Sequence, residues 1–140
     1  MKPSSWNSFF ALFRSRNTLH AIVVFAVLIA NASFGFPRLE PYSAVDEPYW
    51  TYNRTPDFWR ALLSAKWKST DINDKPGITV AWLSGVGLLT IDPMPLAPLR
   101  DEPKTDAELA AIKQVNVAFR LPIYLVALLS ISLFYLLIRK

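Results

Sequence analysis

Two acidic clusters hold the groups in this sequence best suited to chemistry. Asp46 and Glu47 stand together in VDEPYW, and Asp74 immediately precedes Lys75-Pro76-Gly77. A carboxylate held near a membrane surface can take a proton from an acceptor hydroxyl as a general base. It can also help hold a divalent metal that neutralises a phosphate leaving group. Lys75 would offer a point positive charge to a lipid-linked phosphate, with Asp74 beside it as a candidate metal ligand. Each cluster also has a plainer reading: two solvated loop acids at 46–47, and a polar turn between helices at 71–76.

Residue types exclude other chemistries. The chain has no cysteine, so a disulfide scaffold, a thiolate zinc site and a thiol nucleophile are ruled out. His20 is the only histidine, which leaves no catalytic triad or multi-histidine metal site within the chain alone. It stands where the first apolar run begins and reads as a residue at the membrane edge. Trp50, Trp59, Trp67 and Trp82, with Tyr42, Tyr49 and Tyr52, are suited to a lipid–water boundary, and such rings also stack on sugars. Asn53-Arg54-Thr55 fits the three-residue glycosylation pattern, a weak signal that matters only in a eukaryotic secretory compartment.

The elements that must position these groups follow from the distribution of charge. Of the 140 residues, 52% are apolar and only 19% are charged, against about a quarter in a soluble domain. All eleven acidic residues lie between Pro37 and Arg120, together with ten of the fifteen basic ones. The ends carry Lys2, Arg14, Arg16, Arg139 and Lys140 and no acid. These cations flank apolar runs, so the pI of about 9.5 reflects membrane orientation and not nucleic-acid binding.

Residues 1–17 read as a cytoplasmic N-terminus in which Trp6, Phe9, Phe10 and Phe13 make an amphipathic helix on the headgroups. Residues 18–36 form the first spanning candidate around AIVVFAVLIA. Ala30-Asn31-Ala32 also resembles a signal-peptide cleavage site, but the long amphipathic extension favours a retained anchor. Either way the loop at 37–120 faces away from the cytoplasm. Pro37 to Arg54 reads as loop, and Thr55-Pro56 as the cap and first residue of an interfacial helix near 56–68. A second apolar helix near 78–91 would reach only about 21 Å, too short to cross, and Gly85 and Gly87 would allow close packing. The proline-rich stretch 92–104 is extended. Thr105 and Glu108 form a capping box that opens a helix from 106, and residues 121–138 make the clearest span before a cytoplasmic end at 139–140. The fold class is therefore an all-α membrane protein: two transmembrane helices joined by a long extracytoplasmic loop with two short interfacial helices.

Taken in order, an N-terminal span, VDEPYWTYNRTPDFWRALLSAKWKSTDINDKPGITVAWLSGVGLL and a second span opened by Arg120-Leu121 resemble the start of the GT-C membrane glycosyltransferases. The pattern looks most like the bacterial branch of lipid A aminoarabinose transferases and protein O-mannosyltransferase-like enzymes. The resemblance implies that Asp46 is the catalytic carboxylate and Glu47 its support. It implies that Lys75 contacts the phosphate of a polyprenyl-phosphate sugar donor, with Asp74 near a divalent metal where one is used. The implied partners are membrane lipid, that donor and the remaining transmembrane part of the enzyme; the implied location is a bacterial inner membrane. Members of the family have many more spanning helices, so the chain reads as an N-terminal piece with little activity alone. The alternative is a non-catalytic two-span subunit or assembly partner.

Overall fold

The computed structural model describes residues 16–41, 44–71 and 77–138. The expected amphipathic helix at the N-terminus and the Asp74-Lys75-Pro76 turn lie outside the described residues, as do residues 139–140. Every regular element among the described residues is helical. These are α1 (Arg16–Gly35), α2 (Glu47–Tyr49), α3 (Thr55–Leu63), α4 (Ile78–Leu88) and α5 (Asp106–Ile138). Short 3-10 turns follow at Phe36–Arg38, Trp67–Thr70 and Met94–Leu96, and a π-helical turn, Trp50–Arg54, joins α2 to α3.

Among the described residues, two helices are long and apolar enough to cross a membrane. Thr18–Arg38 has 21 residues with a mean hydropathy of 2.0, and α5 has 33 residues with 2.4. The core helix of a water-soluble protein can pass the same test of length, but such a helix is mostly buried. Here 0% of either apolar window is buried, so these surfaces have no cover among the described residues. At about 1.5 Å per residue α5 is about 50 Å long, well beyond a hydrocarbon core of about 30 Å. Its first turn is fixed as the sequence indicates. Thr105 Oγ1 accepts from the Glu108 N–H at 3.2 Å, and Glu108 Oε2 accepts from the Thr105 N–H at 3.1 Å.

The chain divides into two compact units. In one, α1 is accompanied by the end of α5 from Leu128, and the His20 ring packs tilted against Tyr135 at 5.8 Å. The other, Pro37–Ala127, holds the loop and the first part of α5.

Within the second unit the structure departs from the expected loop over 37–54. Residues Glu47 to Leu63 form one helical run, so Thr55 is an interior residue and no cap. Its hydroxyl is fully buried and has no hydrogen-bond partner among the described residues. The π turn has a local cause. Pro56 has no N–H to donate, and in a regular helix its ring would meet the Tyr52 carbonyl; widening the preceding turn relieves both. The Thr55 N–H then reaches the Trp50 carbonyl. α3 also stops at Leu63, before the expected end. Ala65 adopts a left-handed conformation (φ 55°), and the N–H groups of Ala65 and Lys66 return to the carbonyls of Leu62 and Ala61.

α3 and α4 pack through aromatic side chains. Trp59 Nε1 donates to the Ala81 carbonyl at 2.8 Å, and Phe58, Trp59 and Trp82 meet edge to face at 5.6–6.4 Å. Gly85 gives Trp59 its space, since a Cβ there would lie 1.7 Å from Nε1. Beside this pair Tyr52, Leu88, Val115 and Phe119 form a buried core that joins the π turn, α4 and α5.

Candidate functional site

The helical run that opens at Glu47 contributes to two cavities, and Trp50 lines both. The Glu47 carboxylate receives Arg120 from α5 in a two-pronged pair, through Nε to Oε1 and through Nη2 to Oε2 at 3.0 Å. The Ala44 N–H adds a third bond to Oε2, also at 3.0 Å. Arg120 Nη1 donates to the Leu39 carbonyl. Both side chains are mostly withdrawn from solvent, at 14% exposed for Arg120 and 17% for Glu47. A charged pair so placed is held by its own complementarity, and removal of one partner strands the other. Farther along the same face of α5, Asn116 Nδ2 donates to the Glu40 carbonyl at 3.1 Å, and Lys113 lies 3.9 Å from the Glu40 carboxylate. Three α5 side chains thus hold the segment that leads to Asp46.

Below this pair lies an apolar groove of about 520 Å³, lined among others by Trp50, Val80, Phe119, Ile123 and Ala127. Trp50 also lines a smaller cavity of about 280 Å³. Val45, Asp46, Tyr49, Trp50 and Arg54 line it. The Arg54 guanidinium lies 4.6 Å from the centre of the Tyr49 ring and 5.0 Å from that of Trp50, which presents a cation among aromatic faces. Asp46 is exposed at this mouth, and its side chain caps no helix N–H. A carboxylate, a guanidinium and two aromatic rings around one small cavity are suited to a polyhydroxylated or phosphorylated ligand.

Of the residues singled out in the sequence, Asp46 and Glu47 therefore point to different neighbours: Asp46 to the small aromatic cavity, Glu47 to Arg120. Lys75 and Asp74 lie outside the described residues. The chain beyond them returns to this place, because the Gly77 backbone lies on Trp50; a Cβ at Gly77 would be 2.3 Å from the indole Cη2. Among the described residues no group of three or more His, Cys, Asp or Glu side chains is gathered as a metal site. Asn53-Arg54-Thr55 is no glycosylation acceptor in the folded chain, since it sits inside a helical run and Thr55 is fully buried.

Sequence reasoning did not pair Arg120 with Glu47, nor place Arg54 beside Asp46. A signal for the second existed: Asp46, Tyr49, Trp50 and Arg54 have helical spacing, which Pro48 concealed. Tyr52 is a further titratable group behind the site. Burial pushes its phenol pKa up, opposed by Arg100, whose guanidinium lies 6.0 Å from the ring. Its hydroxyl is buried without a partner among the described residues.

No family model matches this chain, and no curated protein or solved structure matches it. Its reading rests on the residues themselves.

Proposed function

We propose that this chain is the N-terminal part of a GT-C-like membrane glycosyltransferase, one that moves a sugar from a polyprenyl-phosphate donor to an acceptor outside the cytoplasm. The observation that carries the reading is the grouping of exposed Asp46 with Tyr49, Trp50 and Arg54 around one small cavity, on a helix fixed to α5 through Glu47 and Arg120. A membrane transferase of this class needs such a group. Asp46 takes the proton of the acceptor hydroxyl as that oxygen attacks the anomeric carbon. The bond from the anomeric carbon to the donor phosphate breaks, and its electrons leave with the lipid phosphate. A cation near the leaving oxygens stabilises the charge that develops there, the part assigned to Lys75 with Arg54 close to Asp46. Tyr49 and Trp50 offer ring faces to the sugar.

In this reading α1 and α5 each cross a bacterial inner membrane, with the cations that flank the two apolar runs on the cytoplasmic side. α3 and α4 rest at the outer interface. Their exposed Leu63, Ile78, Trp82 and Val86, with Trp67 of the turn between them, supply the apolar and aromatic surface for that position.

The test uses membranes that contain the complete protein, supplied with a labelled polyprenyl-phosphate sugar. Asp46→Asn is expected to abolish transfer and leave membrane insertion unchanged. Full transfer by that variant removes Asp46 from catalysis and the reading with it.

A further inference from the structure

We propose that the apolar groove beside Glu47 and Arg120 holds one acyl chain of a bilayer phospholipid. The groove lies wholly within the Pro37–Ala127 unit, and its volume of about 520 Å³ falls within the usual span for small-ligand sites, roughly 300–1,000 Å³. Two of its walls, Ile123 and Ala127, belong to the uncharged run of α5 that begins at Leu121. The groove therefore shares a wall with a stretch apolar enough to meet hydrocarbon, and a lipid tail can enter from the side.

Charge selects the occupant. The charged groups at the groove cancel: the Glu47 carboxylate receives two guanidinium nitrogens of Arg120, and the Leu39 carbonyl receives the third. The phosphate of a polyprenyl phosphate would meet a guanidinium already neutralised by Glu47 and would stand beside that carboxylate, which disfavours it. A zwitterionic headgroup meets a neutral pair without net repulsion. Its hydrocarbon chain gains dispersion contacts with Trp50, Val80 and Phe119, whose facing surfaces otherwise border a void. The small cavity around Asp46 and the groove share only Trp50 among their lining residues, and the groove assignment holds whether or not the transferase reading does.

The experiment reconstitutes the full chain in phosphatidylcholine nanodiscs doped with a phosphatidylcholine that bears a diazirine on its acyl chain. After irradiation, adducts are mapped by mass spectrometry. Adducts are expected on Val80 and Phe119 as well as on Phe25 of α1, which is 66% exposed and serves as the bilayer control. Ala127→Trp fills the groove and is expected to abolish labelling at Val80 and Phe119 while Phe25 labels as before; Val80→Trp, read at Phe119, checks the same point from the other wall. Labelling of Phe25 without Val80 or Phe119 overturns the proposal, and so does labelling at Val80 and Phe119 that survives both fillings. Undecaprenyl phosphate added in excess is expected to leave the Val80 adduct in place. If it removes the adduct, the groove belongs to that lipid and the phospholipid assignment falls.

Discussion

Arg120 and Glu47, 73 positions apart in the chain, meet in a two-pronged ion pair that fixes the start of the helical run to α5. Because both are mostly buried, a charge left without its partner is poorly solvated. Arg120→Met is expected to lower stability by about 3 kcal/mol, and Glu47→Gln by a similar amount. The double variant should lose less than the sum, since the second removal no longer strands a charge. Unfolding by denaturant in detergent micelles, followed by tryptophan fluorescence, measures all three. Strictly additive losses would show that the pair contributes no coupling.

A second contact, between Gly87 and Ala118, shows how α4 approaches α5. In a regular helix the Ala118 carbonyl would receive the N–H of residue 122, but that residue is proline and has none. Gly87 lies directly on this carbonyl: a Cβ there would be 1.8 Å from the oxygen and 3.1 Å from Pro122 Cγ. Backbone cannot move aside as a flexible side chain can. Gly87→Ala is therefore expected to push α4 from α5 and to cost about 2–3 kcal/mol. Thermal unfolding of the variant against the parent chain measures the loss; an unchanged melting temperature would mean that the two helices do not approach at this point.

How much of this was legible in the sequence depended on whether a signal was local. The capping box at Thr105 and Glu108, the two apolar runs and the close-packing glycines follow from spacing within one element, and each is present in the fold. The helical run over 47–55 was hidden because its buried positions, Thr51, Tyr52 and Thr55, include two threonines, and because Pro48 suggests loop until it is recognised as a first-turn residue. The Glu47–Arg120 pair joins residues far apart in the chain, and no periodicity reports such a contact. For the site, the sequence marked Asp46, but its aromatic and cationic neighbours became visible only when the helix placed Tyr49, Trp50 and Arg54 on one face.

The end of α3 offers a test of backbone conformation. Ala65 occupies the left-handed region at φ 55°, where its Cβ crowds the following carbonyl at a cost of about 1–2 kcal/mol. Glycine meets no such cost there, although its greater freedom in the unfolded chain offsets part of the gain. Ala65→Gly should therefore stabilise the chain by up to about 1 kcal/mol, read as a higher melting temperature. A clear drop would mean that the α3 terminus does not close through Lys66 and Ala61 as described.

Tyr52 supplies a prediction for alkaline pH. Burial raises its phenol pKa above the ordinary value of 10.0, with Arg100 opposing that rise. A phenol whose pKa is higher in the folded chain holds its proton more tightly there than in the unfolded chain. Its contribution to stability is fully present below the unfolded value and is lost as pH rises through the folded one. The parent chain should consequently lose stability above about pH 10, with a phenolate absorbance change that accompanies the fall. Tyr52→Phe removes this ionisation and also a buried hydroxyl that has no partner among the described residues. That variant is expected to be as stable as the parent or more so at neutral pH, by up to about 1 kcal/mol, and to show a flatter alkaline limb. The measurement is a pair of unfolding curves from pH 8 to 11, the window about the ordinary tyrosine value. An identical alkaline limb in parent and variant would locate the pH sensitivity elsewhere in the chain.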